Sequence, residues 1–142
     1  MVSGFVRVFT IVRKLINQGY TKFISTFSEG TDLTCASIVD QMKKKHKGVI
    51  LEAVLPHTSR LTSTNKKFVE NLKLCDEIYA IESDDESEYP NNLNYHLVSS
   101  SDILVAVWDG RKTGVVFGAI EWANILKKEI IIIPVEPYLH LE

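Results

Sequence analysis

Residues 103–110 read Ile-Leu-Val-Ala-Val-Trp-Asp-Gly, an unbroken apolar run from Ile103 to Val107 that Trp108-Asp109-Gly110 closes. Side chains of a strand alternate between its two faces, so a run apolar at every position belongs to a strand covered on both. Ile130 to Ile133 repeats the pattern, four isoleucines ending at Pro134, and Val49 to Val54, apolar but for Glu52, is a further strand closed by Pro56. Lys22 to Ser25 and Glu77 to Ile81 are shorter strand candidates. Between the strands the apolar spacing changes to that of one helical face: Val8, Ile11, Val12 and Leu15, then Cys35, Ile38, Val39 and Met42. Phe68, Val69 and Leu72 mark a third helix, and Val116, Ala119, Ile120 and Ala123 a later one. Pro90 suits the first turn of a helix running to Ser100. The alternation predicts an α/β fold: one doubly wound, Rossmann-like domain over residues 1–140, its mostly parallel sheet of about five to six strands flanked by helices on both faces.

The chain departs from that plan at its start. A doubly wound domain opens with a strand, and only Met1-Val2-Ser3-Gly4 precedes the first helix. Either the first strand is vestigial or the chain begins inside it. Apolar residues on the first helix also exceed one face, with Phe5, Phe9 and Ile16 beside Val8, Ile11 and Val12. That excess predicts a homo-oligomer, and a missing first strand produces the same excess.

At 142 residues the chain suffices for one full core and not for two. A net charge of −2 argues against generic attraction to nucleic acid or to anionic lipid. No apolar run reaches the roughly 18–20 residues that span a bilayer, and residues 1–20 do not show a basic region followed by an apolar stretch and a small-residue cleavage site, so export is not expected. Cys35 and Cys75 have no metal-like spacing and read as buried thiols of a reducing compartment, so the expected location is the cytoplasm. Lys43 to Lys47 lies at a helix C-terminus, where positive charge complements the dipole. Glu82 to Glu88 reads as a solvated acidic loop rather than a metal site. Leu141-Glu142 reads as a cloning remnant.

Ligands of open parallel sheets bind outside the carboxyl ends of the strands. Residues 25–36, Ser-Thr-Phe-Ser-Glu-Gly-Thr-Asp-Leu-Thr-Cys-Ala, form one such end, a strand turning through glycine into a helix. Unpaired N–H groups and the positive end of the helix dipole suit an anion there. The candidate contacts are Ser25, Ser28, Glu29, Gly30 and Asp32; the alternative is that Ser28 or Thr31 caps the helix and Asp32 complements its dipole. Trp108 to Gly114 is a second end, offering Asp109, Gly110, Thr113 and Gly114. Pro56 to Arg60 is a third. Neither the dinucleotide fingerprint nor a Walker A loop is present. His46, His57, His96 and His140 lack metal-ligand spacing, and metal ligation is not expected. Glu121 follows the second glycine turn, where a carboxylate contacts a ribose or attacks an anomeric carbon; a lone acid at such a position is more often solvent-facing.

Taken in order, these turns resemble the SLOG superfamily, which groups the DNA-processing protein A family, the Lonely-guy phosphoribohydrolases and small Rossmann-like domains of the YpsA type. Ser25, Gly30, Asp32 and Ala36 match the first turn of that pattern, with Thr26 in place of a glycine and Ser28 in place of an alanine. Leu55-Pro56, Phe68 to Asp76, Asn94 and Ser101-Asp102 match later segments, with Leu93 in place of an arginine. Ala106 to Gly110 is the closest match, and the resemblance runs from Ser3 to Val135. It implies a pocket for a nucleotide or nucleotide-derived molecule, with Asn94 added to the contacts above. The Lonely-guy motif Pro-Gly-Gly-x-Gly-Thr-x-x-Glu corresponds to Arg111 to Gly118, where glycine or phenylalanine replaces the catalytic glutamate. Nucleoside deoxyribosyltransferases are loosely similar in the same region, and their nucleophilic glutamate is also missing.

The expected function is a small binding or sensor module for a nucleotide-type ligand, requiring no cofactor and holding a nucleotide or phosphate as ligand. The alternatives are an N-glycosidase or ribosyl transferase using Glu121, and a DNA-associated protein.

Overall fold

Val8, Val12 and Leu15 are buried along one face of helix α1 (Val2–Asn17), as their spacing requires. Gly19, at φ +102, ends the helix in the left-handed position that costs glycine nothing. The chain then alternates: β1 (Lys22–Ser25), α2 (Thr31–Lys43), β2 (Ile50–Leu55), α3 (Lys66–Leu72), β3 (Glu77–Ala80), α4 (Tyr89–Ser99), β4 (Ile103–Trp108), α5 (Gly114–Ile125) and β5 (Glu129–Pro134). The computed structural model describes residues 2–27, 30–55, 66–81 and 88–135. Pro56 to Arg60 and the acidic run from Glu82 to Ser87 lie outside the described residues, as does the side chain of Phe5. Every strand and helix expected from periodicity is present within a residue or two of its expected bounds, and Pro90 sits in the first turn of α4.

All strand pairs are parallel, but the strands do not form the single sheet of five to six that the sequence suggested. β1, β2 and β3 make one sheet in that order, and β4 and β5 make another. Among the described residues no strand stands between β1 and β4 to join the two. Each sheet keeps its own core. The larger gathers Val8, Val12, Ala36, Val39, Leu51 and Leu55; the smaller gathers Val98, Leu104, Ala106, Ala119, Ile120 and Ala123. β4 belongs to both, because Val105 and Val107 pack with the first group and Leu104 and Ala106 with the second. The two helical layers, α1 with α2 and α4 with α5, therefore lie on opposite faces of β4.

Charged braces hold the amino ends of the larger sheet. The Lys22 ammonium lies 3.1 Å from Glu52 and 3.0 Å from Glu77, joining all three strands. Those two carboxylates raise its pKa, Glu77 foremost. Lys43 reaches the Leu74 carbonyl and the Asp76 carboxylate, and Asp76 also accepts the Leu51 N–H at 2.9 Å. Part of the lysine cluster thus anchors α2 to the turn that leads into β3 in addition to complementing a dipole. Among the described residues, no helix is long and apolar enough to cross a membrane.

Candidate functional site

Between β1 and β4 lies a cleft of about 450 Å³. Its walls are the two strands; α1 and α2 line it through Val12, Ala36 and Val39, and α4 and α5 through Asn94, Leu97 and Ala119. At the carboxyl ends of the strands its mouth is formed by Ser25, Thr26, Thr31, Asp32, Val107, Val115 and Val116. The mouth is where strand order reverses, the place at which an open α/β sheet takes a ligand.

The turn after β1 is tightly wound. The Ser25 hydroxyl donates to the Asp32 carbonyl and accepts the Phe27 N–H, both at 3.1 Å. The Thr26 hydroxyl donates to the Asp32 carboxylate. Phe27 takes φ +59, unusual for a bulky residue, and its ring is 1% exposed. Burial of the ring and the three bonds to Ser25 and Asp32 offset the cost of that backbone. Gly30, at φ +93, then caps α2 without a side-chain hydrogen bond. Ser28 and Glu29 lie outside the described residues.

The start of α5 repeats this arrangement. Gly114 takes φ +92, and Thr113 at the cap position makes no side-chain capping bond. Two helices of more than three turns each thus aim their first turns, Thr31 and Asp32 on one side and Val115 and Val116 on the other, at one cleft mouth. First-turn N–H groups have no partner within their own helix, and the two dipoles add a positive potential there.

Asn94 is 6% exposed and donates from its amide nitrogen to the Val115 carbonyl at 3.0 Å. Among the described residues its amide oxygen accepts no hydrogen bond, and the residue lines the cleft. Asp109 has a different occupation. It accepts the Arg111 N–H at 3.0 Å and the Arg111 guanidinium at 2.7 Å, while the Trp108 indole donates to the Arg111 carbonyl. The Arg111 N–H, then its guanidinium, hold the Asp109 carboxyl below the usual range. Asp109, Gly110, Thr113 and Gly114 shape the turn that delivers α5 and do not line the cleft. Glu121 is exposed on α5 and is not part of the cleft wall.

Cys35 does line the cleft, and burial foremost, with the Asp32 charge second, pushes its thiol up to about 11. At neutral pH it is an uncharged apolar group rather than a nucleophile. Both cysteines are half-buried. Among the described residues, no three His, Cys, Asp or Glu side chains are grouped as metal ligands. Of the expected contacts, the fold brings Ser25, Asp32 and Asn94 to the cleft. Sequence reasoning treated Thr26 only as a lost glycine and missed it as a hydroxyl at the mouth; its signal was a small polar residue directly after the strand.

No protein-family model matches the chain, and no curated protein matches it.

Proposed function

We propose that the chain is a small binding module that holds a nucleotide or nucleotide-derived anion at the cleft mouth between β1 and β4. The observation that carries this reading is the convergence of two helix N-termini on one mouth, each entered through a positive-φ glycine and neither capped by its cap residue's side chain. A phosphate fits the first turns of α2 and α5, which Gly30 and Gly114 open in a positive-φ conformation. The apolar wall of Val107, Val115 and Val116 suits the flat face of a base. The Asn94 amide oxygen and the Asp32 carboxylate are the acceptors for hydroxyl or amino groups. The resemblance to SLOG domains supports the same ligand class. Among the described residues nothing around the mouth is arranged as a nucleophile with its base, and the reading is recognition rather than cleavage.

Native mass spectrometry of freshly purified protein, followed by calorimetric titration with nucleoside mono- and diphosphates, tests it. The expected result is a co-purified or titratable ligand bearing phosphate. Equal response to the unphosphorylated nucleosides contradicts the part assigned to the helix N-termini.

A further inference from the structure

Asn94 offers the cleft a hydrogen-bonding atom whose polarity is fixed. The residue is 6% exposed, and its amide nitrogen donates to the Val115 carbonyl at 3.0 Å. A carbonyl accepts and never donates, so the reversed amide would set oxygen against oxygen. The amide oxygen is therefore the atom left over. Among the described residues it has no donor, yet it is not sealed from solvent. Asn94 lines the cleft, and the cleft is the outlet for that oxygen.

The surrounding helices hold the amide in place. Gly118 approaches so closely that a Cβ there sits 3.0 Å from the amide nitrogen. One turn away on each helix, the Trp122 indole donates to the Asn91 side-chain oxygen at 3.0 Å, and the Tyr95 ring meets Trp122 edge-on. These contacts brace α4 against α5 beside Asn94.

Position decides which group of a ligand meets the oxygen. Under the nucleotide reading, on which this inference rests, the phosphate meets the first-turn N–H groups of α2 and α5. Val115 belongs to that turn and its carbonyl holds Asn94, so the acceptor lies about 5 Å, one helical turn, from the phosphate. In a nucleotide the sugar is joined directly to the phosphate, and the base lies beyond it. The group within reach is a sugar hydroxyl, which is a donor. Asp32 is the poorer acceptor for it, because its carboxylate already takes the Thr26 hydroxyl and carries charge of the same sign as the phosphate. The base is left against Val107, Val115 and Val116, whose side chains have no hydrogen-bonding atoms.

We infer that Asn94 is the sugar-selecting residue of this site: its amide oxygen accepts from a ribose hydroxyl, so the site takes ribonucleotides ahead of their deoxy counterparts and does not choose among bases. A ligand lacking that hydroxyl takes water from the oxygen and returns no donor, which is the costly arrangement for a buried polar atom.

Calorimetric titration of the whole chain with adenosine diphosphate, its 2′-deoxy and 3′-deoxy analogues and inosine diphosphate tests this. One deoxy analogue is expected to bind about tenfold more weakly than adenosine diphosphate, or weaker still. Inosine diphosphate is expected to match adenosine diphosphate, and Asn94→Ala to bring the deoxy analogues level with it. Equal binding of both deoxy analogues by the native protein overturns the inference and leaves the nucleotide reading standing. A deoxy penalty that survives in Asn94→Ala also overturns it, because another group then reads the hydroxyl. Preference for adenosine over inosine diphosphate that Asn94→Ala abolishes puts the base amine on Asn94 and overturns the choice of donor. Failure of the native protein to bind adenosine diphosphate overturns both the inference and the reading beneath it.

Discussion

The Asn94 amide nitrogen donates to the Val115 carbonyl at 3.0 Å, and this bond ties α4 to the first turn of α5, where one wall of the cleft mouth begins. Gly118 enforces it: a Cβ on that residue sits 3.0 Å from the same amide nitrogen. Asn94→Ala removes this tie while the Val115 carbonyl keeps its place in the α5 ladder, and it is expected to cost about 0.5–1.5 kcal/mol in chemical denaturation. Gly118→Ala gains helix propensity worth about 1 kcal/mol but displaces Asn94, so it is expected to give no net stabilisation in the native background. In the Asn94→Ala background the same change is expected to stabilise. A double-mutant cycle reads the coupling directly, and additive effects contradict it.

The acid limb of stability has identifiable sources. Hydrogen bonds from the Leu51 N–H and from Lys43 hold the Asp76 carboxyl below the ordinary 3.8. Its contribution is complete above that value and is lost as pH falls through the lower folded value. Asp109, bound to Arg111, acts with the same sign. Asp76→Asn is therefore expected to flatten the fall in melting temperature between about pH 5 and pH 2 relative to the parent. An unchanged slope contradicts the assignment.

The two thiols are expected to be slow. Burial foremost raises both pKa values, Cys35 to about 11 against an ordinary 9.0. That preference for the protonated form stabilises the fold fully below pH 9.0 and is lost as pH rises toward 11. Reaction with a thiol reagent at pH 8 is expected to be much slower for native protein than for unfolded protein, with nucleotide slowing Cys35 further because it lines the same cleft. Native Cys35 reacting as fast as unfolded chain contradicts its placement.

The exposed position of Glu121 carries a negative prediction. Incubation with a panel of nucleoside monophosphates is expected to release no free base, and Glu121→Gln is expected to leave ligand affinity unchanged. Base release that Glu121→Gln abolishes makes the protein an N-glycosidase and removes the binding-module reading.

How legible this structure was depends on what each residue's neighbours are. Ile103–Val107 and Ile130–Ile133 announced strands because an unbroken apolar run is written within the segment itself, but β5 is less covered than that run suggested, with Ile132 43% exposed in a two-stranded sheet. The split between β1 and β4 was not legible in that way. Periodicity reports the faces of a strand and is silent on which strand occupies its edge, so only the short run before α1 hinted at the gap. At the site, Ser25 and Asp32 were readable because a strand-to-helix turn needs both in a short span. Asp109 pairs with Arg111 two residues on, a local bond for which an acid two places before an arginine was the available signal. The bond from Asn94 to Val115 spans 21 residues and no local pattern encodes it.

The central claim is that a phosphate-bearing ligand sits where α2 and α5 begin. Amide chemical-shift mapping during titration with a nucleoside diphosphate tests it most directly. The account predicts saturable shifts concentrated at Thr31, Asp32, Val115 and Val116, the first-turn residues that line the mouth. Shifts that centre elsewhere, or their absence at saturating nucleotide, contradict it.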